Sequence, residues 1–201
     1  VFDRNYGKRQ VKMTTKCLDG HWEEVYDKKQ IKTIHDLIQD KFYTKEDPIL
    51  AASPYEDGTP RKVVDTQLVN YREIEYAIRG IIDEAYTICL EQFGYIAKPP
   101  TNDDLHYTTY TSRKKSRYDY HTDEARETTH DYKLTLLVNL SPKEFEGGDF
   151  YLFSSGNMMI PELKKPGSAI AIKSSMHHRV SPVTKGVRRT LTHFMKGPAW
   201  R

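Results

Sequence analysis

The pattern of apolar and polar positions changes character near residue 100. In the first half, apolar residues recur at helical spacing. From Tyr71 to Phe93, Ile74, Ile78, Ile81, Ile82, Ala85 and Leu90 fall near one helical face. Gly94 follows as a C-terminal stop. Lys29 to Lys41 carries a weaker stripe of Ile31, Ile34, Leu37 and Ile38. Beyond Pro99–Pro100 the period shortens to two and turn residues punctuate it. The spacing predicts strands over Leu105–Thr111, Tyr118–Thr122, Lys133–Leu140, Asp149–Phe153, Met158–Leu163, Ser168–Lys173, His177–Val183 and Arg188–Met195. So many short strands in one compact half imply a closed double sheet, a jelly roll. The expected fold is mainly β with supporting helices, the long helix covering one face of the sandwich. Residues 1–100 are expected to form a helical or mixed region packing on a β core over 101–201, in one compact domain.

Composition narrows the possibilities. With 31 basic and 28 acidic residues the net charge is +3, too near neutral to signal nucleic-acid or membrane binding. Fourteen tyrosines suit half-buried sheet surfaces. Cys17 and Cys89 provide neither a disulfide framework nor a cysteine zinc cluster, so free thiols and a reducing, cytoplasmic setting are expected. The opening residues VFDRNYGKRQ hold no apolar run that would serve as a signal peptide.

The candidate chemistry lies in the second half. His121 and Asp123 stand two apart on a predicted strand, so both side chains leave the same face and can grip one ion. His178 is the third candidate. Two histidines and one carboxylate form the facial set that binds Fe(II) and leaves adjacent positions open. His177 competes with His178, and alternation separates them: His178 shares a face with Val180 and Pro182, His177 with Arg179 and Ser181. The apolar companions turn His178 inward. Ten residues on, Arg188 offers a planar fork for the distal carboxylate of a dicarboxylate co-substrate, with Arg189 as the alternative on spacing alone. Gly186 lets the chain turn, so His178 and Arg188 are expected on antiparallel neighbours.

Three stretches, YDYHTDEA (118–125), LTLLVNLSPKEFEGGDFYLF (134–153) and SSMHHRVSPVTKGVRRTLTHFMKGP (174–198), resemble the prolyl 4-hydroxylase-like branch of the iron(II)/2-oxoglutarate dioxygenases, including its bacterial and phage-type members. The resemblance covers roughly the C-terminal half. It implies a double-stranded β-helix, iron held by His121, Asp123 and His178, and the distal carboxylate of 2-oxoglutarate on Arg188 rather than Arg189. Family members often place a tyrosine near the co-substrate; Tyr110 is the nearest match, with core packing as its other reading, while Tyr118 and Tyr120 read as packing around the metal strand. The implied cofactors are Fe(II), 2-oxoglutarate as co-substrate and ascorbate as an accessory, with dioxygen as the oxidant. The implied reaction is hydroxylation of an unactivated C–H bond on a small-molecule or peptide substrate, a prolyl or other amino-acid residue among them. Relatives that halogenate lack the carboxylate, so Asp123 favours hydroxylation.

Two other readings compete: a jelly-roll binding module without turnover, and a cupin-like metal enzyme that does not use 2-oxoglutarate. Arg188 speaks against both, since neither needs a carboxylate anchor. The basic run Arg113–Arg117 reads either as a solvated loop or as a lure for an acidic substrate. Segment Glu124–His130 is placed to act as a lid.

Overall fold

A computed structural model describes residues 13–16, 19–22, 24–43, 54–123 and 129–200 of the chain. Cys17 and the segment 124–128 lie outside the described residues. The first half holds strands β1 (Met13–Lys16) and β2 (Asp19–Trp22), helix α1 (Lys28–Ile38), strands β3 (Lys62–Val63) and β4 (Asp65–Asn70), and helix α2 (Tyr71–Glu91). The second half runs β5 (Asp104–Thr111), β6 (Arg117–His121), β7 (His130–Asn139), β8 (Glu146–Gly147), β9 (Phe150–Phe153), β10 (Asn157–Met159), β11 (Ala169–Lys173), β12 (His178–Val180), β13 (Val183–Lys185) and β14 (Val187–Pro198). Among the described residues these pair into a seven-stranded sheet, β1-β2-β11-β7-β14-β5-β4, and a five-stranded sheet, β10-β9-β12-β6-β3, with β13 and β8 paired separately.

Both helices begin where a side chain can satisfy an orphaned amide. Asp27 and Gln30 form a reciprocal capping box ahead of α1. Asn70 accepts from the Arg72 amide ahead of α2. Helix α2 ends at Glu91, and Gly94, at φ +66°, turns the chain back. Its buried face carries Ile74, Ile78, Ile81, Ile82, Ala85, Ile88 and Cys89. Leu90, expected on that face, is 60% exposed; the stripe continues through Ile88 and Cys89 instead. Burial raises the Cys89 thiol to about 11, so it stays protonated and unreactive.

The core has two layers. One lies between the helices and the outer face of the larger sheet, where Leu134, Leu136 and Val138 of β7 meet Ile74, Ile78 and Ile81. The other lies between the sheets and contains Tyr110, Leu137, Phe150, Leu152, Ile170, Ile172 and Val180. Strict alternation along β7 sends even positions to the helices and odd positions to the inter-sheet space. This is the double-stranded β-helix expected from the second half.

Several boundaries differ from the sequence expectation for stated reasons. The strand expected over Met158–Leu163 ends at Met159, because Pro161 starts a single 3-10 turn, Pro161–Lys164. The strand expected over His177–Val183 divides into β12 and β13 at Ser181–Pro182. Strands β1 to β4 carried no clear period-two signal, yet β2 pairs with β11 and β4 with β5. His178 and Arg188 are not on neighbouring strands. β12 belongs to the smaller sheet and β14 to the larger, so the two side chains face each other across the inter-sheet core. No helix among the described residues is long and apolar enough to cross a membrane.

His193 ties α2 to β14. The Tyr86 hydroxyl donates to the Lys98 carbonyl at 2.6 Å and lies 3.2 Å from His193 Nε2, which donates to it. Burial pushes the His193 imidazole down to about 4 from its ordinary 6.5. Between those values the unfolded chain takes a proton that the folded chain refuses. Stability is therefore full above 6.5 and falls as pH drops toward 4, by at most about 3 kcal/mol from this residue. Thermal unfolding midpoints measured from pH 7 to pH 4.5 should fall less steeply for His193→Phe than for the parent.

Candidate active site

His121 closes β6 and His178 opens β12, and the antiparallel register sets the two directly opposite each other. Opposed residues on paired strands share a face, so both imidazoles enter the inter-sheet space. Their ring centroids are 4.2 Å apart. Each ring has its orientation fixed from behind: His121 Nδ1 donates to the Asp119 carbonyl at 2.7 Å, and His178 Nδ1 donates to the Met176 carbonyl at 2.9 Å. Both therefore present an Nε2 lone pair. Asp123 reaches the same point, with its carboxylate oxygens 3.7 Å from His121 Nε2 and 3.4 Å from His178 Nε2. One ligand atom from each of the three lies within 4.8 Å of the others.

Burial, with the neighbouring His178 adding to it, lowers the His121 imidazole to about 2. It stays neutral and keeps its lone pair. Tyr118 stacks flat on His121, with centroids 3.5 Å apart and planes 9° from parallel, and Phe150 lies against His178 at 5.5 Å. Tyr120 instead leaves the outer face of the smaller sheet, where it meets Phe153 and the Arg179 guanidinium. His177 is exposed and His178 is 3% exposed, as alternation required.

Two further side chains complete the surroundings of Asp123 and escaped the sequence reading. Thr135 of β7 donates from Oγ1 to Asp123 Oδ2 at 2.7 Å, and the Ser174 hydroxyl lies 2.9 Å from Thr135 Oγ1. The available signal was faint: Thr135 is the polar break in an apolar strand, KLTLLV.

Across the inter-sheet core stands Arg188, 1% exposed. Its guanidinium lies 4.9 Å from the centre of the Tyr110 ring, which is itself buried. Neither Nη1 nor Nη2 has a hydrogen-bond partner among the described residues. Burial shifts the guanidinium downward from its ordinary value, with Tyr110 and Asp149 opposing, but Arg remains cationic in proteins. Arg188 closes one end of a cavity of about 180 Å³ that Phe150, Ile160 and Leu163 also line. Gly148 at φ +61° makes room for it: a Cβ there would meet the Arg188 stem at 3.1 Å. Arg189 points to the other face, toward His35 and Tyr107, and its backbone amide donates to Ser141 Oγ.

The basic run has a different setting from the metal strand's functional end. Lys114 pairs with Asp65, and the Ser112–Lys114 turn is bonded to Gly186. It lies at the start of β6, whereas His121 closes that strand, about 13 Å further along.

A model of the 2OG-Fe(II) oxygenase superfamily matches residues 105–196. A search of curated protein sequences finds no match. Among solved structures the fold is similar to a prolyl-4-hydroxylase from Pseudomonas putida, with TM-score 0.61, 11% identity, and 90% of this chain and 93% of that chain covered. It is similar also to a viral collagen prolyl hydroxylase from Paramecium bursaria Chlorella virus-1 in its 2OG complex, with TM-score 0.62, 16% identity, and 90% and 96% covered. A third is a prolyl hydroxylase from Trichoplax adhaerens in complex with a hypoxia inducible factor peptide fragment, with TM-score 0.55, 16% identity, and 84% and 77% covered. The family match therefore covers residues 105–196, and the solved structures share the fold. That match supports a 2-oxoglutarate-dependent dioxygenase that uses Fe(II).

The donor set fits that metal: two neutral imidazoles and one carboxylate, without thiolate. Replacing His178 with Ala should abolish Co(II) or Fe(II) binding, whereas His177→Ala should leave it unchanged; calorimetric titration of both variants distinguishes them.

Proposed function

We propose that the chain hydroxylates an unactivated C–H bond of an amino-acid residue, a prolyl residue of a peptide being the leading candidate. In this reading His121, Asp123 and His178 hold iron, and Arg188 with Tyr110 receives 2-oxoglutarate. The observation that carries it is the Arg188 guanidinium, buried across the inter-sheet core from the three converging ligands, with the Tyr110 side chain beside it and no ion pair to a carboxylate among the described residues. A buried cation without a carboxylate partner costs several kcal/mol, and a carboxylate that accepts from both Nη groups offsets that cost.

Bound iron and 2-oxoglutarate supply the oxidation, in which dioxygen is consumed and succinate and carbon dioxide are left. The residues of this chain position and protect that chemistry. His121 and His178 offer Nε2 atoms that their backbone carbonyl partners hold in place. Arg188 neutralises the distal carboxylate and fixes the co-substrate's direction, with the Tyr110 ring covering it. Phe150, Ile160 and Leu163 give the cavity beside Arg188 an apolar wall.

The substrate class rests on the surface beside the metal ligands. Phe194 pairs across strands with Thr135, so it shares the inner face with the residue that touches Asp123. His106 and Tyr132 flank Phe194, with ring centroids 4.9 Å and 4.8 Å away. This row spans three strands, a length that suits a peptide segment, and flat rings pack well on a pyrrolidine. Structural neighbours named as prolyl hydroxylases, one of them bound to a peptide, agree with it.

Succinate release from 2-oxoglutarate with Fe(II), screened across proline-containing peptides and free amino acids, tests the reading. Coupling to a peptide with a mass gain of one oxygen on proline supports it; coupling to a free amino acid alone contradicts it. Arg188→Lys should raise the KM for 2-oxoglutarate by about tenfold or more, since a point charge replaces the two-pronged contact, while metal affinity is retained. Equal loss of both would point to misfolding of the core.

A further inference from the structure

Each of the two metal-binding histidines sits on the smaller sheet, but Asp123 is tied to the larger one. Its amide donates to the Ser174 carbonyl at 2.9 Å, and its carboxylate accepts from Thr135 at 2.7 Å. Ser174 directly follows β11, and Thr135 pairs with Ile172 of that strand. Both hydroxyls are fully buried, Thr135 at 1% and Ser174 at 0% exposure. An ionised carboxylate accepts only, so the Thr135 proton is committed to Asp123. The Ser174 hydroxyl must then donate to Thr135 Oγ1. The chain of donors runs in one direction, from Ser174 through Thr135 to Asp123 Oδ2, and each bond polarises the next.

We propose that Thr135 is a positioning residue for the metal centre, and that Ser174 supports it. The relay holds Oδ2 of Asp123, fixes the carboxylate's rotation, and so sets how the third ligand meets the two imidazoles. It also carries part of the link between the two sheets at the point where the metal bridges them. The inference rests on the reading of His121, Asp123 and His178 as the metal site. A carboxylate free to rotate would meet the ion in more than one way and compete for the positions that co-substrate and dioxygen require.

Co(II) titration, followed by calorimetry and by the visible spectrum of the bound ion, tests this without turnover. Loss of an outer partner weakens metal binding by about tenfold or more. Thr135→Val should therefore raise the Co(II) dissociation constant by about that factor and alter the spectrum. Thr135→Ser, which restores the donor, should return both to the parent's values. If Thr135→Val proves unfolded by circular dichroism, Ser174→Ala decides, because it leaves Thr135 in place: weaker binding with an altered spectrum supports the relay. Unchanged affinity and spectrum in the folded variants, with binding still abolished by His178→Ala, overturns the role of Thr135 and leaves the metal site standing. Equal Co(II) binding by the parent and His178→Ala would instead overturn the metal site, and the relay with it.

Discussion

The direct cross-strand pairing of His121 with His178 is the constraint on which the site depends. A slip of one residue in that register would send one imidazole to the outer face and leave the other alone. The register is held by what surrounds it. Leu152, Phe150 and Val180 must all face the inter-sheet core, and they do so in the register that also brings the histidines inward. Hydrophobic burial thus enforces ligand geometry. A metal bound there would gain three ligands whose positions are already determined by the fold, so little ordering cost would attend its binding.

The same sandwich prepares the other half of the chemistry. Packing the Arg188 guanidinium into an apolar interior without a carboxylate beside it is unfavourable for folding, and in the proposed reading the co-substrate's distal carboxylate offsets that cost. Gly147 and Gly148 make this possible: both adopt positive φ, and a side chain at either would strike the Pro182 backbone or crowd Arg188. The glycine pair, the arginine and the triad are therefore parts of one arrangement. The aromatic row of His106, Phe194 and Tyr132 extends that arrangement away from the ligands, along the larger sheet.

Much of the second half was legible because its signals are local. Alternation separated His178 from His177, and the turn residues located most strands to within a few positions. Where Pro161 and Pro182 intervened, strands were predicted too long, because their side-chain pattern continues after the backbone has stopped pairing. The first half was less legible. Its strands β2, β3 and β4 join the sheets through partners in the second half, as β2 does with β11, and short pairings of that kind leave no period to read. The relation of His178 to Arg188 also escaped: ten residues of separation suggested a hairpin, whereas the chain crosses from one sheet to the other. Thr135 and Ser174 could not be found from spacing, since their role depends on which hydroxyls meet one carboxylate in three dimensions.

The central claim is that the three ligands and Arg188 jointly hold iron and 2-oxoglutarate. Anaerobic addition of 2-oxoglutarate to the Fe(II)-loaded protein, followed by visible absorption, measures that directly, because chelation of iron by the keto acid creates a metal-to-ligand charge-transfer band. The band should appear at stoichiometric co-substrate in the parent, and be missing from His178→Ala. No band from the fully loaded parent, or an equal band from His178→Ala, would contradict it.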